Sequence, residues 1–387
     1  MQGALNGIRV IDLTNYVFGP VTTQLLGDMG AEVIKVEPPA GDPMRHVGKS
    51  NSPHMGSGFL NLNRNKKSVV LDLKQSAAQK HLHQLLETAD VLVHNLRSGS
   101  LKKLGLDYPT LQAQYPQLVY ASALGFGAQG CYFDRPAYDD IIQGLSAMVD
   151  LNQKNTDRSL YMPMLFTDKL CGWVLYGAIT TALFHRERTG LGQEVSVPML
   201  ETAVSFNLLD HMADGIFQRQ SEHNKPGYQR VLSQYHRPLR TSDGVICLVA
   251  NSDRQWQRLF GLLGVPELTH DERFTGIGNR IKNIEALYKI VEEKLQTQTT
   301  EHWLTHFEQA EIPASPANTL EGLTQDPHLV QAEFFKETDH PSEGKLLYPD
   351  LFMQFSQSPG TIVGPAPGLG EHTEEVLSTL NGSAGAQ

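Results

Sequence analysis

Short apolar runs alternate, through the first hundred residues, with longer segments that carry an apolar residue every three or four positions. Residues 7–13 (GIRVIDL) predict a strand, and Pro20 opens a helix that Gly30 closes. Residues 31–37 (AEVIKVE), 68–73 (SVVLDL) and 90–95 (DVLVHN) predict three further strands. Between the last two, Ser76 is placed to cap a helix that runs to about residue 87. Strands alternating with helices predict an α/β fold built on a doubly wound, mostly parallel sheet. Such a sheet takes its ligands at the carboxyl ends of its strands. Those ends are residues 14–18, Pro38 onward, 72–74 and 95–97.

Farther along, an apolar stretch after Asp168 predicts a long helix, followed by a turn (RTGLGQ) and a strand over 194–197. A helical pattern covers about 199–218. Residues 221–240 are polar and rich in Gly, Pro and basic side chains, which predicts a linker. A second unit then shows a strand pair around 239–249 and helices over 253–263, 280–295 and 300–310. The Pro-rich run SPGTIVGPAPGLGEH reads as an extended segment.

Composition narrows the function classes. A length of 387 residues fits two or three domains, and 40% apolar with 19% charged residues is an ordinary globular balance. A formal net charge of −10 argues against a general nucleic-acid binder, while leaving room for a local basic pocket. Cys131, Cys171 and Cys247 are far apart and form no C-x-x-C, which fits a reduced compartment. The N-terminus lacks a signal-peptide pattern. Residues 170–184 are too short and too glycine-interrupted for a membrane span. A soluble, cytoplasmic protein is expected, with no nucleic-acid or membrane partner.

Three sets of residues carry candidate chemistry. Asp168, directly before the apolar run, suits a helix N-cap. The same position would keep the carboxylate ionised and able to attack an acyl carbon. Arg64, Lys66, Lys67 and Lys74 gather around one strand, either as a solvated edge or as a phosphate site. The histidines show no zinc spacing, so no metal is expected. No G-x-G-x-x-G follows the first strand, so neither a nicotinamide nor a flavin dinucleotide is indicated.

A chain-long series of segments resembles one family. It starts with GIRVIDLTNYVFGP, GDMGAEVIKVEPPAGDP and NRNKKSVVLDLK. ADVLVHNLRSGSLKKLGLDY, PQLVYASALGFG and DRPAYDD follow, then TDKLCG, HRERTGLGQ and VSVPML. PLRTSDGVICL, IPASPANTLEGLTQDPHL and PAPGLGEHTEEVL complete it. Together they resemble the class III coenzyme A transferases, the CaiB/BaiF-type family of formyl-CoA and carnitine CoA transferases.

The resemblance implies that Asp168 is the nucleophile and coenzyme A the cofactor-like substrate. It implies coenzyme A contacts at Val17 and Phe18, at Leu71, Asp72, Leu73 and Lys74, and at Asn95, Leu96, Arg97 and Lys103. Further contacts fall on Arg135, Pro136, Ala137 and Tyr138, and on Met199. It also implies an interlocked homodimer. The large CoA-binding domain would take residues 1–220, a small inserted domain 221–330, and residues 331–387 would return to the large one.

Two departures stand out. Pro38 occupies a position where many relatives carry Arg, and the glycine-run loop of oxalate-using members is absent. Residues 221–240 instead hold Lys225, Arg230, His236, Arg237 and Arg240, either a linker or a grip for another acid's distal carboxylate. The expected activity is transfer of coenzyme A between carboxylic acids through covalent aspartyl intermediates. One rival is an α-methylacyl-CoA racemase of the same fold, which needs a histidine where this chain has Tyr138 and Asp139. The other is a non-enzymatic acyl-CoA-binding protein.

Overall fold

A computed structural model describes residues 3–217 and 225–382. The described residues form two compact units. One runs up to Ser146, resumes over Pro163–Val204, and resumes again from His328. The other comprises Ala147–Met162 and the described part of 205–327.

The first unit is built around six parallel strands. In chain order it holds β1 (Arg9–Leu13), α1 (Phe18–Asp28), β2 (Glu32–Glu37), α2 (Ser57–Leu60), β3 (Lys66–Val70), α3 (Ser76–Leu86) and β4 (Val91–His94). Next come α4 (Ser98–Leu104), α5 (Tyr108–Gln114), β5 (Val119–Leu124) and α6 (Asp139–Leu145). Helix α7 (Met148–Thr156) belongs to the other unit. The first unit continues with α8 (Phe166–Thr189) and β6 (Glu194–Pro198), and α9 (Met199–His211) crosses the division.

The strand order is β3-β2-β1-β4-β5-β6, every pairing parallel. Parallel strands buried on both faces read as apolar runs rather than alternations, as in β1, where Val10 and Ile11 are both fully buried. On one face Ile11, Ile34, Val69 and Leu92 pack under Leu82, Leu85 and Leu111 of the covering helices. The chain steps outward through β2 and β3, then returns to lay β4 beside β1. The crevice where that order reverses is where doubly wound sheets bind ligands.

Several elements depart from expectation. Strand β3 starts at Lys66 and ends at Val70, so residues 71–74 form the turn after it. Pro20 is the third residue of α1, and Ser76 is the first residue of α3 rather than its cap. Strand β5 and helices α4 to α6 were not anticipated. Part of the expected helix over 199–218 and of the expected linker lies outside the described residues.

Of the four basic residues after residue 61, Arg64, Lys66 and Lys67 are taken up in ion pairs, and Lys74 is exposed. Lys66 is fully buried and pairs with Asp12 at 3.2 Å, and Arg64 holds Asp28 at 2.8 Å. Lys67 meets Glu32 and Glu375. The same internal layer contains Lys35 against Asp42 at 2.9 Å and Arg45 against Glu37 at 2.7 Å, all fully buried. Burial pushes Asp12 up, but Lys35 and Lys66 more than offset it and hold it at about 2.

The returning chain forms a hairpin of β10 (Phe335–His340) and β11 (Gly344–Pro349), and ends in α16 (Thr373–Gly382). It lies along the free side of β3. Asn65 donates its N–H to the Gly364 carbonyl, Ser68 to His372 Nδ1, and Val70 to Thr373 Oγ1.

In the second unit, α10 (Gln229–Leu232) precedes a three-stranded antiparallel sheet of β7 (Leu239–Arg240), β8 (Val245–Leu248) and β9 (Ala314–Pro316). Its helices are α11 (Asp253–Leu262), α12 (Ile277–Lys282), α13 (Ile284–Leu295) and α14 (Thr300–Gln309), and α15 (Pro327–Gln331) crosses the division back into the first unit. Trp256, Phe260, Leu287, Val291, Trp303 and Phe307 fill its core. Arg237 is committed to Glu292 by two bonds of 2.7 and 2.9 Å, so this residue of the basic segment serves the fold.

Candidate functional site

A cleft of about 510 Å³ opens at the switch point of the large sheet. Its walls are the turn after β1, the turn after β4, the long loop after β5, and the starts of α8 and α9.

Each wall is fixed by identifiable bonds. The turn after β1 bends back at Tyr16, whose φ is +70°, a left-handed conformation that is an outlier for a bulky side chain. Asp12 accepts from the Thr14 N–H and hydroxyl, and Lys35 Nζ donates to the Thr14 carbonyl. Asn95 exchanges two bonds with the Asn15 backbone, and the Tyr16 N–H reaches Asp42 at 3.2 Å. Helix α1 then starts tightly against this turn. A Cβ on Gly19 would lie 2.2 Å from the Thr14 Cβ, so only glycine fits. The loop after β5 closes on itself where Gly125 passes Ala137. Asp134 fastens the same loop to the start of α4 by accepting from the Ser98 N–H and hydroxyl.

Asp168 is the third residue of α8, with Leu165 at the cap position. Helix α8 packs on α1 so closely that Thr22 donates to the Gly172 carbonyl, and a Cβ on Gly172 would be 3.0 Å from the Phe18 carbonyl oxygen. Asp168 sits one helical turn before Gly172, on the same side of the helix. Beside it, the buried Asp139 at the start of α6 accepts from the Thr167 hydroxyl at 2.8 Å and from the Asp168 N–H at 3.1 Å. Its other oxygen accepts from Gln143. Burial, and then the Asp139 charge, push the Asp168 carboxyl up to about 7. The expectation of a fully ionised carboxylate is therefore overturned. Desolvation and a like charge outweigh the favourable helix start.

The structure sorts the residues named from sequence. Phe18, Asn95, Leu96, Arg97, Arg135, Pro136, Ala137, Tyr138, Asp168 and Met199 all line the cleft. Val17 does not line it and packs in a small apolar cluster with Val21 and Leu25. Leu71 and Leu73 belong to the apolar core under the helices, and Asp72 and Lys74 stand at the end of β3, two strands from the crevice. Lys103 is exposed on α4 outside the lining, where the neighbouring Lys102 takes part instead.

Sequence reasoning missed Tyr16, Lys102, Tyr108 and the buried pair His94 and Ser122, joined at 2.9 Å. The strand-end rule pointed to the Tyr16 turn but could not tell which of its side chains turn inward. Among the described residues no group of three or more His, Cys, Asp or Glu could hold a metal ion, and no helix is long and apolar enough to cross a membrane.

The chain matches CoA-transferase family III over residues 5–373. It is 30% identical to succinyl-CoA:glutarate CoA-transferase of Homo sapiens over 97% of this chain and 86% of that one. It is 32% identical to succinate–glutarate CoA-transferase of Agrobacterium fabrum over 97% and 95%. The crystal structure of a CAIB/BAIF family protein from Brucella suis superposes with a TM-score of 0.81 at 29% identity, covering 98% of this chain and all of that one. With its doubly wound sheet, its switch-point cleft and a match that spans nearly the whole sequence, this chain belongs to CoA-transferase family III.

Proposed function

We propose that this enzyme moves coenzyme A from an acyl-CoA thioester to a carboxylic acid, with Asp168 as the covalent nucleophile. The observation that carries the reading is a carboxyl poised near neutrality in the switch-point cleft, with no cation paired to it among the described residues. A carboxylate tied up in an ion pair would be a weaker nucleophile.

The steps balance without any further reagent. The Asp168 carboxylate attacks the thioester carbonyl, a C–O bond forms, and the C–S pair leaves with sulfur as coenzyme A thiolate. The thiolate attacks the aspartyl carbonyl of the resulting anhydride, which releases the donor acid and leaves an aspartyl thioester. An acceptor carboxylate attacks that thioester and frees the thiolate again. The thiolate takes the new acyl group and restores Asp168. Covalent catalysis divides one hard transfer into easier ones. Helix α1 starts on the cleft wall without a side-chain cap, so its first-turn N–H groups can serve the developing oxyanion.

Arg97, Lys102 and Arg135 supply positive charge in the cleft for the phosphates of coenzyme A. By the resemblance, Asp72 and Lys74 would meet its nucleotide end. Relatives named for succinyl-CoA and glutarate suggest a short dicarboxylic acceptor. An interlocked homodimer of this chain completes the proposal.

The test is an acyl-CoA and acid panel, including succinyl-CoA with glutarate, followed by mass spectrometry. Asp168→Ala should lose transfer by several orders of magnitude while staying folded. Hydroxylamine should trap a modified peptide containing Asp168 in the unsubstituted enzyme. Near-normal transfer by the alanine variant would overturn the assignment. Rapid deuterium uptake at the α-carbon of a 2-methylacyl-CoA without added acid would favour the racemase.

A further inference from the structure

Arg135 is held in the cleft by a residue that does not reach the cleft itself. Phe133, Asp134 and Arg135 line it, and Tyr132 does not. The central carbon of the Arg135 guanidinium lies over the Tyr132 ring, 4.5 Å from its centroid. Tyr132 in turn meets the buried Phe126 ring edge-to-face, with centroids 5.5 Å apart, so the platform is anchored just past the end of β5. Short turns close the backbone around it. Phe133 donates its N–H to the Gly130 carbonyl at 3.2 Å, and Arg135 to the Tyr132 carbonyl at 3.0 Å. Glu201 secures the start of the same loop by accepting from the Gly127 N–H at 2.9 Å. Asp134 takes a left-handed conformation, φ +65°, and commits its carboxylate to Ser98, the residue after Arg97. Arg97 and Arg135 therefore flank one hydrogen-bonded clasp. Among the described residues neither guanidinium has a hydrogen-bond or ion-pair partner.

We propose that Tyr132 is a positioning residue for coenzyme A, holding the Arg135 guanidinium across the Asp134–Ser98 clasp from Arg97, where the two arginines grip a phosphate. This rests on the transfer reading above. A guanidinium presents its N–H donors in a planar fork that matches phosphate oxygens. A ring that holds it leaves those donors available, because they lie in the plane of the guanidinium itself. A long exposed side chain gives up rotamer freedom when it grips a ligand, and prior anchoring on a ring reduces that loss. The acid nearest in sequence, Asp134, is engaged by Ser98 and leaves the arginine charge for the ligand. The attraction comes from the face of the ring and not from the phenol hydroxyl, so phenylalanine would serve equally well.

The experiment is calorimetric titration of the full chain with coenzyme A, which needs no turnover. Arg135→Ala should weaken binding by about 10- to 100-fold, the worth of a charged hydrogen bond. Tyr132→Leu should weaken it by about 2- to 5-fold, the worth of an exposed cation–π contact, and Tyr132→Phe should bind as the unsubstituted protein does. Tyr132→Met, which keeps bulk against Phe126, should repeat the leucine result. In the Arg135→Ala background Tyr132→Leu should cost nothing further, because it acts only through the missing guanidinium. Pantetheine, which carries neither the diphosphate nor the 3′-phosphate, should bind the Tyr132→Leu and unsubstituted proteins equally. With 3′-dephospho-CoA, a retained penalty assigns the grip to the diphosphate, and a lost one assigns it to the 3′-phosphate. A phenylalanine variant as weak as the leucine one, losses that multiply in the double variant, or an equal loss toward pantetheine would overturn the proposal. So would a penalty that falls on the KM of the acceptor acid and spares coenzyme A. If coenzyme A does not bind the unsubstituted protein, the transfer reading has failed and this inference falls with it. If it binds and Tyr132→Leu loses nothing, this inference alone fails.

Discussion

At the scale of single residues, the protonation of Asp168 is the most consequential property of the site. Its carboxyl is raised to about 7, so in the free enzyme near neutral pH a large share carries a proton and cannot attack. The sign follows directly. An acid with a raised pKa gains its reactive, ionised form as pH climbs, so kcat/KM should rise through about pH 7 on its acid limb. Asp139→Asn removes the neighbouring charge and keeps an oxygen for Thr167 and the Asp168 N–H, while Gln143 can turn its amide to match. That variant should move the acid limb to lower pH, and a pH–rate profile of wild type and variant reads the shift. An unmoved limb would mean that burial alone sets it. Asp168 itself was legible in the sequence, as an acid at the head of an apolar run. Its charge state was not, because the residue that helps set it lies on another helix, 29 positions upstream. That Tyr16 rather than Val17 lines the cleft was hidden for a related reason. Inward and outward positions in the turn depend on a left-handed residue, and sequence alone gives no sign of one at a tyrosine.

Among the secondary-structure elements, charge inside the sheet layer was the least legible feature. Arg64, Lys66 and Lys67 look like a surface patch because their acidic partners, Asp28, Asp12 and Glu32, are scattered through earlier segments. The strands were easier. Strands β1, β2 and β4 announce themselves through adjacent branched apolar residues, VI, VI and VLV, whereas VYASAL of β5 interleaves small and polar residues and went unread. The buried pairs matter energetically as units. Arg45 donates both Nε and Nη2 to Glu37, with Nη1 and Nη2 also on the Pro367 carbonyl. Removing one partner strands the other charge without water. Arg45→Ala should therefore cost about 3–5 kcal/mol, the usual price of breaking a buried pair. Urea unfolding would show it as a lower midpoint at unchanged slope. A loss below 1 kcal/mol would mean that the pair is bystander chemistry.

For the molecule as a whole, α8 poses a question of cover. It carries apolar residues on every side, and a helix of that kind belongs in an interior. In the single chain Trp173, Val174 and Phe184 remain exposed, the last by 63%. A second copy of the chain would account for them, as the proposed homodimer requires. Light scattering at low micromolar concentration should then give about twice the 42.9 kDa chain mass, and a stable, active monomer would refute it. The wrapping of β3 has a different consequence, one that unfolds in time. The N–H groups of Asn65 just before it and of Ser68 and Val70 within it are satisfied by Gly364, His372 and Thr373, which a ribosome adds some three hundred residues after the strand. At 5–20 residues per second that gap is roughly a quarter to a full minute. Throughout it the nascent sheet presents an open margin, the kind of template on which strands of neighbouring chains can pair. Synthesis of this enzyme thus includes an interval of exposure that its finished form does not reveal.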